Sequence, residues 1–227
     1  MQGDYYQLPT GKVAALDKDS PFPPIKDALN DPNGLLAIGG SLSCARILTA
    51  YRAGIFPWFS EGEPILWWSP NPRMVLFPKD FKVSKSLAKR LKKNDYEVRF
   101  NSDFRQVMEA CANTNRPGQD GTWITSDILD AYCELHKLGY AYSAETWIDN
   151  ILVGGLYGVL INKVFYGESM FHDVTDASKI AFAHMVNYLK DRHVEMIDCQ
   201  MNTKHLASLG AQEISREKFM NELSRLI

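Results

Sequence analysis

Asp198 and Gln200 stand two apart, at the end of a strand predicted over residues 195–198. Residues i and i+2 of a strand share a face, so a carboxylate and a carboxamide are expected side by side. A carboxylate can accept a hydrogen bond or take up a proton. A carboxamide both donates and accepts, but is too weakly basic to hold a proton. On the residues alone the pair reads more readily as a polar strand edge without chemistry. Glu168 follows Gly167 at another predicted strand end. A carboxylate there is placed either to meet a cationic side chain of a ligand or to close a structural ion pair.

Two tryptophans lie in predicted loops, Trp58 within Gly54-Ile55-Phe56-Pro57-Trp58-Phe59-Ser60 and Trp123 within Gly121-Thr122-Trp123-Ile124-Thr125. A ring on a loop can stack on an unpaired base, a contact worth ~1–3 kcal/mol, or can fill a core. Trp67 and Trp68, beside Pro64, Pro70 and Pro72, read as local packing. From Lys82 to Lys93 the chain has six basic residues and no acidic one, so the remainder carries −8 of the net charge of −2. At ~100° per residue, Lys82, Lys85, Lys89, Lys92 and Lys93 share one side of a helix, and Val83, Leu87 and Leu91 take the other. Crowding like charges costs a few tenths of a kcal/mol per pair, which an anionic polymer would offset. The bland alternative is a solvated helix face; the absence of interleaved Asp or Glu favours RNA.

The elements that must position these residues alternate along the chain. The first 40 residues carry Phe22-Pro23-Pro24 and Asn30-Asp31-Pro32-Asn33-Gly34, which are turn and loop signals. A helix capped by Ser43 runs to about Ala53, with Gly54 just past its end. A boundary is placed after an aromatic, Pro-rich stretch, giving a small domain over residues 1–71 and a larger one over 72–227. In the larger domain helices are expected over residues 84–93, 103–112, 126–138, 177–192 and 216–226, with a short one ending at Gly210. Strands are expected over 96–100, 140–146, 151–160, 164–167 and 195–198. Asp149-Asn150 and Asn162-Lys163 suit antiparallel hairpins. The class is α+β with a mainly antiparallel sheet.

Composition removes several alternatives. A chain of 227 residues with 45% hydrophobic content suits one sizeable core or a domain plus a small one. Met1-Gln2-Gly3-Asp4 does not read as a secretory signal, and no run approaches the ~18 apolar residues of a membrane span. Cys44, Cys111, Cys133 and Cys199 are scattered without metal-ligand spacing and read as reduced thiols of a cytoplasmic protein. The five histidines are scattered too, so no metal site is expected.

Several strings together resemble the leucyl/phenylalanyl-tRNA–protein transferases. They include Asn33-Gly34-Leu35-Leu36-Ala37-Ile38-Gly39-Gly40, the Trp58 loop, Ile65-Leu66-Trp67-Trp68-Ser69-Pro70 and the Trp123 loop. Further on come Val153-Gly154-Gly155-Leu156-Tyr157-Gly158, Phe165-Tyr166-Gly167-Glu168-Ser169-Met170-Phe171, Ala177-Ser178-Lys179, Ile197-Asp198-Cys199-Gln200 and His205-Leu206-Ala207-Ser208-Leu209-Gly210-Ala211. They keep the family's order across about residues 20–215.

The resemblance implies an acetyltransferase-like (GNAT) larger domain and a monomeric enzyme needing neither cofactor nor metal. It implies transfer of Leu, Phe and less readily Met from aminoacyl-tRNA to proteins beginning with Arg or Lys, marking them for degradation. It assigns Trp58 and Trp123 to the terminal adenosine. Phe165, Gly167, Met170 and Ile197 fall in an apolar pocket for the aminoacyl side chain, with Leu156 where some members have Met and Phe182 where some have Leu. Glu168 is assigned to the acceptor, Asp198 and Gln200 to catalysis, and the five lysines to tRNA, with Lys where some members have Arg. Gln200 would position the amine and Asp198 would orient it or act as base. Two rivals stand beside this reading. An acetyl-CoA-dependent acetyltransferase lacks support, because Arg116-Pro117-Gly118-Gln119-Asp120-Gly121 has the wrong spacing for a pyrophosphate loop. A non-catalytic RNA-binding module leaves Glu168, Asp198 and Gln200 unexplained.

Overall fold

The computed structural model describes residues 4–93, 95–114 and 121–227. The Met1-Gln2-Gly3 start and most of the Arg116–Gly121 string weighed above lie outside them. The chain opens with a five-stranded sheet made of β1 (Tyr5–Leu8), β2 (Gly11–Leu16), β3 (Leu35–Gly39), β4 (Phe56–Pro57) and β5 (Leu66–Trp68), with helix α1 (Cys44–Arg52) between β3 and β4. Their order is β1-β2-β3-β5-β4. Here the expectation of turns and loops over the first 40 residues is corrected. The Pro and Gly signals are confined to the connection between β2 and β3. The strands around it are too short and too exposed at β1 to show an alternating pattern.

The rest of the chain comprises β6 (Arg73–Leu76), α2 (Lys85–Leu91), β7 (Glu97–Phe100), α3 (Phe104–Asn113), α4 (Ser126–Lys137), β8 (Ala141–Ile148), β9 (Ile151–Ile161), β10 (Val164–His172), α5 (Ala177–Asp191), β11 (Met196–Gln200), α6 (Lys204–Ser208), β12 (Gln212–Ile214) and α7 (Arg216–Leu226). They build a seven-stranded sheet, β12-β6-β11-β10-β9-β8-β7, in which only β10 and β11 run parallel. The α+β class with a mainly antiparallel sheet is what forms. Local chemistry starts the helices: Ser43, Ser84, Asp103, Thr125, Thr203 and Ser215 each accept the N3 backbone N–H of the helix that follows, contributing ~0.5–2 kcal/mol apiece. Asp149 and Asn150, both left-handed at φ 49° and 60°, turn β8 into β9.

Both faces of the large sheet are covered. Tyr157, Tyr166 and Met196 face a core shared with α1, α3, α4 and α7, and with Leu36 and Trp67 of the first sheet. Leu156, Phe165 and Ile197, their neighbours in sequence, face α5. Gly158 lets β9 and β10 meet this closely: a Cβ there would lie 2.2 Å from the Tyr166 carbonyl oxygen and 2.5 Å from the Phe165 ring.

The lysine helix is shorter than its sequence pattern. Lys82 and Val83 precede α2, and Lys92 and Lys93 follow its last residue. All five lysines are exposed. Leu87 is buried and Leu91 half-buried, but Val83, expected on the packed side, is 43% exposed. Ser84 accepts the Leu87 N–H and starts the helix after Val83, so helical phase does not extend back to it. Among the described residues no helix is long and apolar enough to cross a membrane.

Candidate active site

The site opens where two parallel strands part. Pairing of β10 with β11 ends at Tyr166 and Asp198, while β10 runs on beside β9. Past that point Gly167, Glu168, Ser169 and Met170 form one wall of a cavity of about 500 Å³, and Cys199, Gln200 and Met201 form another. Each strand bulges at the parting. The register of β10 shifts between Gly167 and Ser169, leaving Glu168 as the extra residue. That of β11 shifts between Asp198 and Gln200. Bulges re-aim side chains, and here they decide which groups face the cavity. The strand predicted to stop at Gly167 continues to His172, because Gly167 begins a bulge and not a turn.

The expectation that Asp198 and Gln200 share a face is corrected by the β11 bulge. Gln200 is left-handed at φ 54°, and it lines the cavity together with Ile197 and Cys199, whereas Asp198 does not. Asp198 is fully buried. Its Oδ1 accepts from Arg73 Nε at 2.8 Å and from the Gln200 backbone N–H at 3.0 Å, and its Oδ2 accepts from Arg73 Nη2 at 2.6 Å. Asp198 thus meets Gln200 through the Gln200 backbone N–H and does not itself line the cavity. The Gln200 Nε2 atom, in contrast, is buried without a hydrogen-bond partner among the described residues. Buried polar atoms are nearly always paired, which sets this amide nitrogen apart at the cavity wall.

Glu168 is held by phenols. Tyr51 of α1 donates to its Oε1 at 2.6 Å; the Tyr132 hydroxyl of α4 lies 3.3 Å from its Oε2 and also against the Tyr51 oxygen, and its one proton serves one of these two acceptors at a time. Among the described residues no cation forms an ion pair with it, so it does not close the structural salt bridge considered from sequence. Burial pushes its carboxyl up to about 8; the Tyr51 bond opposes this, the Asp198 charge adds to it, and the Tyr132 bond and Arg73 oppose it.

Around these polar groups the cavity is apolar. Leu156, Phe165, Gly167, Met170, Phe182 and Ile197 all line it, and so do Trp58 and Trp123. Trp58 is 47% exposed and Trp123 only 8%. Trp68 Nε1 donates to the Trp58 carbonyl oxygen at 2.7 Å, and the two rings meet edge to face at 5.7 Å. The residues that the resemblance assigned to one pocket are therefore brought together in space. Residues 40–71 match the model of the leucyl/phenylalanyl-tRNA protein transferase N-terminal domain, and residues 75–224 match that of the leucyl/phenylalanyl-tRNA protein transferase. A leucyl/phenylalanyl-tRNA–protein transferase of Chromobacterium violaceum is 64% identical over 202 residues, 89% of this chain and 86% of the relative. One of Nitrosospira multiformis is 58% identical over 212 residues, 93% and 91% of the two chains. The chain belongs to the leucyl/phenylalanyl-tRNA–protein transferase family.

It is thus an aminoacyltransferase. Among solved structures, a GCN5-related N-acetyltransferase from Kribbella flavida aligns with a TM-score of 0.40 at 8% identity, over 74% of this chain and 60% of that one. Sequence reasoning missed four residues that line the cavity or hold its acids. Trp68 was read as packing, yet alternation in β5 buries Trp67 and turns Trp68 to the cavity; a strand pattern over Leu66–Trp68 was the available signal. Tyr51, Tyr132 and Arg73 were not singled out from sequence at all. Nothing local pairs them with acids far along the chain. The five lysines do not line the cavity; their helix packs on α5.

Proposed function

We propose that the chain moves Leu or Phe, and less readily Met, from aminoacyl-tRNA to the α-amine of proteins beginning with Arg or Lys, and so feeds their degradation. The observation that carries this reading is one cavity that joins an apolar wall, two tryptophans at a loop-built edge, a carboxamide whose Nε2 has no partner among the described residues, and a carboxyl that none of their cations pairs. The apolar wall takes the aminoacyl side chain, and Trp58 and Trp123 hold the terminal adenosine. The exposed lysines contact tRNA phosphates as point charges, since lysine lacks the bidentate fork of arginine. The reading places the enzyme in the cytoplasm, acting as a monomer.

The ester of the charged tRNA is already activated. A free α-amine has a pKa near 7.7–8.0, which leaves a neutral fraction at pH 7. The amine nitrogen attacks the ester carbonyl carbon, a C–N bond forms, and the bond from that carbon to the ribose oxygen breaks. One amine proton is lost and the ribose oxygen gains one. Alignment of amine and ester can supply ~7–11 kcal/mol in favourable cases, and in this reading the Gln200 carboxamide holds the amine. Glu168 meets the acceptor's cationic side chain. Its carboxyl, pushed up to about 8 by burial, is mostly neutral at pH 7, so a bound Arg or Lys cation favours its ionised form and its proton passes to solvent.

Radiolabelled Leu-tRNA incubated with peptides beginning with Arg or Ala tests the reading. Label is expected on the Arg peptide alone. Tight tRNA binding without transfer would support a binding module instead, and label from acetyl-CoA in a parallel tube would mean a different donor.

A further inference from the structure

Arg73 belongs to neither wall of the cavity, yet it touches what builds both. It is 1% exposed, at the start of β6. Two of its guanidinium nitrogens meet the two oxygens of Asp198, and the third, Nη1, donates to the Gly54 carbonyl oxygen at 3.2 Å. Its faces lie against the rings of Phe56 at 4.7 Å and Phe219 at 4.6 Å. Gly54 opens the loop that carries Phe56 and Trp58. Asp198 in turn holds the backbone N–H of Gln200. One planar cation therefore connects the tryptophan loop to the bulge that aims the carboxamide.

A left-handed glutamine is uncommon, and a hydrogen bond from its own N–H to a fixed carboxylate is what secures it here. The carboxylate is fixed because a guanidinium fork grips both of its oxygens in one plane. An ammonium group has no such fork. We propose that Arg73 is a positioning residue for aminoacyl transfer, setting through Asp198 and Gly54 the distance between the Gln200 carboxamide and the tryptophan loop. This rests on the function proposed above, in which the carboxamide holds the amine and the loop holds the adenosine that bears the ester. A misplacement of about 1 Å between reacting groups costs roughly 10²-fold in rate. That is the size of effect a loosened fork should have.

The test compares kcat and KM for Phe-tRNA with an Arg-starting peptide in wild type, Arg73→Lys, Gln200→Ala and the double variant. Arg73→Lys is expected to lower kcat about 10²-fold with KM for Phe-tRNA changed less than threefold. In the Gln200→Ala background the same substitution should add less than threefold, because the distance has meaning only while the carboxamide is present. Losses that multiply in the double variant, or a wild-type kcat in Arg73→Lys, would overturn the proposal. A second variant separates fold from function. Arg73→Met with Asp198→Leu exchanges the buried pair for apolar groups, a change that is often neutral or stabilising. It should melt near the wild-type temperature and still transfer about 10²-fold more slowly; full activity would also refute the role. Absence of transfer by the wild type would reject the function itself, which is a different failure.

Discussion

Two acids approach the cavity from neighbouring strands, each beside a bulge, and the protein treats them in opposite ways. The β11 bulge leaves Asp198 in the interior, matched to Arg73 through two bonds. The β10 bulge leaves Glu168 at the cavity, matched to two phenols and, among the described residues, to no cation. The same backbone device thus yields one carboxylate bound into the framework and one carboxyl left at the cavity wall. The difference lies in the partners, which come from α1, α4 and β6.

The largest effect expected from this contrast is on the ion pair. Asp198→Asn leaves the Arg73 guanidinium buried without its counter-charge, which should cost about 3–5 kcal/mol. In a chain of this size the melting temperature would fall by on the order of 10 °C. Thermal denaturation at pH 7 measures it. A loss below 1 kcal/mol would show that the pair is better solvated than its burial implies, and the two acids would no longer be different in kind.

Glu168→Gln should act through pH. The folded-state value of Glu168 is raised to about 8, above that of an unfolded glutamate near 4.3. The unfolded chain therefore loses this proton first. The stability linked to it is fully present below about pH 4, declines as pH rises, and is lost by the time pH passes 8. Melting temperatures taken between pH 5 and 9 should fall less steeply in Glu168→Gln than in the wild type. The variant should also raise KM for Arg-starting peptides and largely keep kcat. An unchanged slope would assign the titration to another group, and a loss confined to kcat would move Glu168 from acceptor binding to chemistry.

What was legible in the sequence follows from how far each interaction reaches. Ser43 announced its helix because a cap involves residues within one turn. Asp149-Asn150 announced a hairpin for the same reason. The bulges were not legible. A bulge is a mismatch between two strands, and neither strand of the pair records it alone, so Asp198 and Gln200 looked like neighbours on one face. Arg73 and Asp198 lie far apart in sequence, and no periodicity links them. The apolar wall from Leu156 to Ile197 was assembled by resemblance to a family; pattern alone would have left Phe165 and Phe182 as ordinary core, which they also are.

The finest difference lies within the Glu168 cluster itself. The Tyr51 bond is shorter than the Tyr132 bond, 2.6 Å against 3.3 Å, and both pull the Glu168 carboxyl down against the upward push of burial. Removing either hydroxyl should raise the Glu168 midpoint further, Tyr51→Phe more than Tyr132→Phe. Each change should also cost about 1 kcal/mol of stability, the scale of one hydrogen bond. The midpoint can be followed by the carboxyl carbon shift of labelled glutamate across pH 5–10. A Tyr132→Phe shift equal to that of Tyr51→Phe would mean that the two hydroxyls share the carboxyl evenly through their own mutual bond. A downward shift in either variant would mean that the phenols stabilise the neutral acid, and that Glu168 resists ionisation because of its partners as well as its burial.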